Sequence, residues 1–391
     1  MSGAPLEAWQ WLASDEGRAL RDAAASVGAT TPAAVAALRR LGSADAVRAA
    51  LELAQARQRA TAKFPDAAGL WCDGHGIEQA SSGRVAAWKS RRFLGRETID
   101  LCTGIGGDLM AIARATTVTG VDRDPVRAWM AARNAGVPVQ VGDVRDVDVR
   151  GRLVHIDPAR RDERGARHHG LDGYEPGLEV LQRIWSDSPG GGAKLGPGID
   201  LPIEGAPDGS ELEFISEDRT LVQAVLWWGD CVRHAGQRTA TALRGDEVRS
   251  LHGAPEPMPV RDGDYGAVIA VPDPALERSG LAGACAARLG LAEAAVGLGI
   301  AHGPAPSHED AWWWRWYRIE AEIPWRTDAA AAWLREHDAG EVTVKTRGKA
   351  VDPDALARAW RGRGATPWTV FMLRHGNALR AFATVPMVGT R

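Results

Sequence analysis

The chain is short of cysteine and of lysine, has no long uninterrupted apolar run, and carries almost no net charge. Its four cysteines, Cys72, Cys102, Cys231 and Cys285, are scattered with no C-x-x-C pair. That spacing argues against a zinc site and against a disulfide framework, and a reducing cytoplasm is the expected compartment. The opening MSGAPLEAWQWLASDEG has no basic stretch followed by an apolar core, so it does not read as a secretory leader. The most apolar long stretch, Ser279 to Ala301, is interrupted by Arg288 and Glu293, and reads as a buried helix or loop with no membrane span. The formal net charge of -3 leaves no global field to draw the chain to nucleic acid or to a membrane, so an electrostatic partner must be met by a local patch. Only five of the 47 basic residues are lysine. A GC-rich genome accounts for an arginine and alanine excess, so arginine alone is no argument for RNA.

What is present is the composition of an ordinary globular protein, 45% hydrophobic and 25% charged over 391 residues, enough for two or three domains. Residues 1–63 read as a helical cap: apolar positions recur at helical spacing through Leu6, Trp9 and Leu12, and through Val35, Leu38 and Leu41. Thr31-Pro32 supplies an N-cap and a proline at the first helical position. From Glu97 the pattern changes. Thr98 to Leu101, Val118 to Asp122, Val137 to Asp143 and Leu153 to Asp157 read as strands, with helices expected over Asp108 to Thr116 and Pro125 to Ala135. This alternation predicts an α/β fold with a parallel sheet. Late strands are expected at Glu211 to Ser216 and Ala224 to Trp228, giving a domain over 64–252. Beyond a Pro/Gly-rich linker, Gly253 to Asp264, residues 253–391 read as a separate α+β region.

The densest chemical signal is DLCTGIGGD, Asp100 to Asp108. A strand that ends in a glycine loop and opens a helix is a nucleotide cradle, because glycine lets the backbone approach a ligand and the helix start offers free N–H groups. The dinucleotide fingerprint fits only in part, since Leu109 stands where its third glycine would be. Asp100, four positions before Gly104, suits a ligand with an ammonium group and would repel a pyrophosphate. Asp122 and Asp143 close the next two strands, where carboxylates can accept from ribose hydroxyls and from an adenine amino group. Cys102, Thr103, Gly106, Gly107, Arg123 and Val144 complete the candidate cofactor loops. Asp157-Pro158-Ala159-Arg160 closes the fourth strand, where Asp157 can accept a hydrogen bond from a substrate amino group; Asp157, Pro158 and Arg160 are the candidate catalytic residues.

These residues resemble class I S-adenosylmethionine-dependent methyltransferases. More narrowly, 64–157 resembles the trimethylguanosine synthase-like branch, through GIEQASS (Gly76 to Ser82), the helix expected over Gly83 to Phe93, DLCTGIGG and VDRDP. The tail from Val342 to Val385 resembles the THUMP-like domain that follows such a domain in a bacterial group, here placed over about 320–391. The resemblance implies a Rossmann-like methyltransferase sheet with an N-terminal helical cap and a C-terminal α+β THUMP-like domain. It implies S-adenosylmethionine as cofactor, near Asp100, Gly104, Gly106 and Gly107 (methionine part), Asp122 (ribose) and Asp143 (adenine), with Gln79 and Ser81 close by and no metal. One departure is visible: the family's amino-group motif carries a second proline and an aromatic where this chain has Ala159 and Arg160. That argues against a trimethylguanosine cap as substrate.

Two basic stretches are candidate RNA contacts. Arg160, Arg161 and Arg164 follow the fourth strand, with Arg167, His168 and His169 beyond them; the histidines read as local caps or pairs. Lys345, Arg347, Lys349, Arg361 and Arg363 lie in the tail. Trp312 to Arg318 could stack bases between guanidinium groups, though on a strand half of these side chains would face a core. The expected function is a cytoplasmic methyltransferase of structured RNA. The alternatives are a small-molecule methyltransferase and a non-catalytic RNA-binding protein that keeps a cofactor fold, with an NAD enzyme a distant fourth. The oligomeric state stays open.

Overall fold

The structure is a computed structural model that describes residues 3–160, 170–261, 265–306, 308–347, 351–375 and 378–387. The chain divides into two compact units: Met1–Leu212 with Val222–Gly236, and Glu213–Leu221 with Gln237–Arg391. These differ from the expected divisions at 63/64 and 252/253 for physical reasons.

The N-terminal helices do not stand apart. Leu6–Ala13, Arg18–Ala25, Pro32–Leu38 and Ala44–Ala60 bury Trp9, Leu12, Leu20 and Leu53 in one apolar cluster, and that cluster continues into Ile77, Ile105 and Met130. Each large side chain buried there contributes about 1.5–3 kcal/mol. Asn134 clamps the junction: its Nδ2 donates to the carbonyls of Trp71 and Ile105, both at 2.8 Å, and its Oδ1 accepts from Trp71 N. The caps are as the sequence predicts, with Thr31 Oγ1 accepting from Ala34 N at 3.2 Å and Pro32 following it. Such a cap is worth about 1 kcal/mol.

The first unit's sheet contains β1 (Thr98–Leu101), β2 (Val118–Asp122), β3 (Val139–Val141), β4 (Leu153–Ile156), β7 (Gly190–Leu195) and the strand Thr220–Gly229, of which Val222–Gly229 belong here. Two short strands, β5 (Ala159–Arg160) and β6 (Tyr174–Glu175), form their own ladder, Arg160 opposite Tyr174. β1 lies parallel to both β2 and β4, β2 to β3, and β4 to β7; Thr220–Gly229 closes antiparallel on β7. The register sets Leu101 beside Val121 and Ile156. Cys102, Asp122 and Asp157 therefore leave the sheet at one edge, its carboxyl end, where open α/β sheets bind ligands.

In the second unit, Arg238–Arg244 and Glu247–Gly253 form an antiparallel hairpin. A seven-stranded sheet includes Val268–Pro272, Trp314–Ile323, Ala378–Pro386, Thr366–His375 and Ala339–Thr346 as successive neighbours. Ala339–Thr346 runs parallel to Thr366–His375, and the helix Pro353–Trp360 lies between them in sequence. Leu334, Trp360, Trp368, Val370, Met372 and Ala381 form the core beneath. The tryptophan run is packing rather than a base platform: Trp313, Trp314 and Trp316 are buried, with Trp316 Nε1 donating to Ala311 O at 2.8 Å. Half-buried Trp312 has the Arg244 guanidinium 3.8 Å from its ring centre. Among the described residues no helix is long and apolar enough to cross a membrane.

Candidate active site

The loop after β1 needs three left-handed residues. Gly104 (φ 56°) and Gly106 (φ 86°) adopt that conformation freely, whereas Cys102 (φ 59°) does so at a steric cost. A Cβ on Gly104 would meet nothing within 4 Å, so the glycine leaves its backbone open to a ligand; one on Gly106 would come within 3.0 Å of the Ala131 backbone. The helix Gly107–Ala115 starts here and presents its first N–H groups at the same edge.

A cleft of about 610 Å³ opens over this edge, and every expected cofactor and catalytic residue lines it except Gly106, whose part is the turn itself. Asp122 lines the cleft but is largely buried, because its oxygens tie the loops together, Oδ2 accepting from Gly104 N at 2.8 Å and Oδ1 from Asp124 N at 2.9 Å. Burial raises its pKa, and these two backbone donors oppose the rise. Asp143 caps the turn Val144–Asp146, accepts from Arg145 N at 2.9 Å, and stays partly exposed.

Asp100 is fully buried, with Oδ1 2.6 Å from His155 Nδ1 and Oδ2 without a hydrogen-bond partner. Burial raises its pKa although His155 works against the rise. Asp157 is paired as well, Oδ2 to Lys194 Nζ at 2.7 Å, and the same ammonium donates to Gln79 O at 2.7 Å. Burial would lower the pKa of Lys194, but Asp157 and Asp108 outweigh it and the net direction is up. Ser81 turns inward, donating to Asp108 Oδ2 at 2.9 Å. Arg160 is exposed on β5, with its guanidinium 6.0 Å from the centre of the Tyr174 ring.

The sequence reading missed Lys89, His155, Tyr174, Lys194 and Gln223. A signal existed for three: His155 is polar within an otherwise apolar strand, and Lys89 and Lys194 are two of only five lysines. Nothing in the local pattern marks the others.

Among the described residues the tail cations do not form one cluster. Gly362 N and Gly364 N bond to Gly340 O and Ala339 O, so exposed Arg361 and Arg363 sit where the strand Ala339–Thr346 begins. Lys345 lies at its other end, half-buried and 5.9 Å from the Tyr317 ring centre, and Arg347 pairs with Glu277 at 3.0 Å. At about 3.3 Å per residue the two ends are roughly 20 Å apart. Arg161, Arg164 and Lys349, with Arg167, His168 and His169, lie outside the described residues. Among the described residues no group of three His, Cys, Asp or Glu could hold a metal ion.

With this geometry in view, the likeness to known proteins is informative. Residues 314–385 match the model of the THUMP domain-like family. An uncharacterized S-adenosylmethionine-dependent methyltransferase of Mycobacterium tuberculosis, found in strains CDC 1551 and H37Rv, is 31% identical over 318 residues, covering 77% of this chain and 83% of the relative. The crystal structure of a proposed methyltransferase from Porphyromonas gingivalis W83 matches 98% of both chains with a TM-score of 0.74 at 19% identity, which is a likeness of fold. The cleft fits the cofactor on its own terms. It offers an unpartnered buried carboxylate oxygen on Asp100, open space above Gly104, and carboxylates at the ends of β2 and just after β3. S-adenosylmethionine is the cofactor, and the chain belongs to the S-adenosylmethionine-dependent methyltransferases.

Proposed function

We propose that this methyltransferase acts on an amino group of structured RNA, with Asp157 as the acceptor that aligns the amine and the second unit holding the RNA. The observation that carries the reading is the Asp157–Lys194 pair at the carboxyl end of β4, inside the cofactor cleft.

When bound, S-adenosylmethionine supplies a methyl group on a sulfonium centre. The chain's part is placement. Asp100 Oδ2 would receive the methionine ammonium, Asp122 the ribose hydroxyls and Asp143 the adenine amine. Asp122 keeps this capacity, since each carboxylate oxygen accepts more than one hydrogen bond. Asp157 accepts an N–H of the target amine and turns the nitrogen lone pair toward the methyl group. Such alignment is worth orders of magnitude in rate. The proton displaced on methylation leaves along that hydrogen bond. Lys194 fixes the carboxylate and, through Gln79 O, ties it to the loop before Ser81. Pro158 stiffens the exit from the strand. Exposed Arg160 is placed to meet a phosphate.

The THUMP domain-like match and the exposed Arg361 and Arg363 support RNA as the substrate. The cleft is lined by charged side chains of both signs, with exposed Arg160 among them, unlike the enclosed apolar pocket a small-molecule enzyme would need. Ala159 and Arg160 supply no aromatic ring after Pro158, so a trimethylguanosine cap is not the proposed target.

The test is transfer of labelled methyl groups to total RNA from a strain lacking the gene, followed by mass spectrometry of the nucleosides. Label that nuclease releases as one modified nucleoside, and that Asp157→Ala abolishes, supports the reading. Label confined to the small-molecule fraction overturns it.

A further inference from the structure

Behind the cofactor loop lies a buried group of side chains that the placement of the cofactor leaves unexplained. Lys89, on the helix Gly83–Ser90, is 1% exposed, and its Nζ lies 2.7 Å from Asp108 Oδ1. The ammonium also donates to Ser81 Oγ at 3.1 Å and to Gln223 Oε1 at 3.4 Å. Asp108 Oδ2 faces His155 Nε2 at 3.8 Å, and the other ring nitrogen of His155 holds Asp100 at 2.6 Å. Four side chains thus lie in succession beside the cleft, Lys89, Asp108, His155 and Asp100, with His155 Nε2 near Asp108 but not hydrogen-bonded to it. The neighbouring Lys194–Asp157 pair is neutral in itself.

The chemistry follows from counting charges. Two carboxylates face one ammonium and an imidazole, so removing one carboxylate raises the cluster's charge by one unit whatever the imidazole carries. Asp108 is fully compensated: burial would raise its pKa, but Lys89 and His155 overcome this and hold it well below the usual carboxylate range. Asp100 is not, since burial still raises it. Asp100, Asp108 and His155 all line the cleft, so the charge of the cluster lies beneath the cofactor. Donor and product of the reaction share adenosine, carboxylate and ammonium, and differ by one methyl cation. Any fixed charge near the sulfur acts on that difference alone.

We infer that Lys89, Asp108 and His155 are positioning residues that fix Asp100 and set the net charge beneath the cofactor, and so set the ratio of affinities for the sulfonium donor and the neutral thioether product. A unit charge one or two side chains away, at an effective dielectric of about 20, changes a binding constant on the order of tenfold. Product release after each transfer depends on this ratio.

The experiment is calorimetric titration of the full chain with S-adenosylmethionine and with S-adenosylhomocysteine. Asp108→Asn raises the cluster's charge by one unit, and the affinity ratio should move roughly tenfold toward the thioether. Lys89→Met with Asp108→Asn restores the original net charge, and the ratio should return to within about twofold of the unmodified chain. A role in packing alone would weaken both ligands equally and leave the ratio still, and that result overturns the inference; so does a double variant that folds yet keeps the ratio of Asp108→Asn. If Asp108→Asn does not fold, the unmodified chain decides. Two adenosyl analogues with an ammonium or a methylene in place of the sulfonium should differ in affinity by about tenfold or more in favour of the ammonium, and equal binding sinks the idea.

Discussion

Lys194 Nζ sits 2.7 Å from Asp157 Oδ2, which ties the end of β7 to the residue that follows β4. These strands are parallel neighbours, so the pair belongs to the sheet and not to a mobile loop. If Asp157 aligns the amine, Asp157→Asn should lower kcat by about 10²- to 10⁴-fold, the range general acid–base groups supply. Lys194→Met should also lower kcat, by less, because Asp157 is kept but no longer held. In both variants the cofactor dissociation constant, read by calorimetry, should change far less than kcat. A pure loss of cofactor binding would remove Asp157 from the chemistry.

Asp100 gives a pH dependence whose sign can be worked out. Its carboxyl is raised above the ordinary range by burial, so the cofactor-free chain holds that proton more tightly than the unfolded chain does. The stability this adds to the cofactor-free chain is present below the unfolded value and is lost as pH rises through the folded one. Cofactor binding runs the other way, because its ammonium needs the ionised carboxylate. Affinity should fall about tenfold per pH unit below the folded value, with uptake of cofactor releasing a proton. Asp100→Asn should abolish this dependence and weaken binding by about 1.5–3 kcal/mol. Titrations in buffers of different ionisation enthalpy count the proton.

Asp122 is a different case, because it is buried and carries two backbone N–H groups. Asp122→Ala removes their acceptors as well as the expected ribose interaction. It should cost about 1–3 kcal/mol of stability for each donor left dry, besides any loss of affinity. Asp122→Asn keeps one acceptor and should keep most of the stability. Denaturant midpoints of the cofactor-free variants separate folding from binding.

The contrast between Asp122 and Lys194 shows what was legible in the sequence. The segment from Val118 to Ala135 could be read closely. Asp124 accepts from Val126 N and Arg127 N, Pro125 follows at the first helical position, and Gly136 ends the helix with φ 67°, all short-range chemistry. Lys194 and Gln223 belong to β7 and the strand Thr220–Gly229, far along the chain from the residues they touch, and periodicity does not say which strands are neighbours. The same limit hid the unit boundary: Glu213–Leu221 packs with the second unit although it follows the first without a break in pattern. For Trp312 to Arg318 the sequence left base stacking and core packing both open, and the burial of Trp313, Trp314 and Trp316 favours packing.

Arg92 makes a prediction about stability alone. Its guanidinium meets Glu211 with both nitrogens, at 2.8 and 2.9 Å, and the two side chains are 5% and 0% exposed. Removing one partner of such a pair leaves an uncompensated buried charge. Arg92→Met should cost about 3–5 kcal/mol. Arg92→Met with Glu211→Gln should recover part of this; Glu211 Oε2 also accepts from Arg233 N and His234 N, so recovery stays incomplete. A denaturant series on the three chains checks it. A loss below about 1 kcal/mol for Arg92→Met would mean that water reaches the pair.

The two ends of the strand Ala339–Thr346 should behave differently toward RNA. Arg361 and Arg363 are exposed and have no ion pair among the described residues, so a phosphate bound there displaces counterions without breaking one. Arg347 would first have to leave Glu277, and Lys345 is half-buried beside Tyr317. Removing one phosphate-binding cation should flatten the slope of log affinity against log salt by about 0.9 on a duplex and about 0.7 on a single strand. Arg361→Ser and Arg363→Ser should each approach that value, while Lys345→Ser and Arg347→Ser fall short of it. The change should be similar for RNAs of different sequence, because phosphates carry no sequence information. Cofactor affinity should not move, since these residues lie in the other unit. Unchanged slopes for Arg361→Ser and Arg363→Ser would mean that this end of the domain does not hold the phosphate backbone. RNA would then have to be held elsewhere, or the substrate would have to be a small molecule.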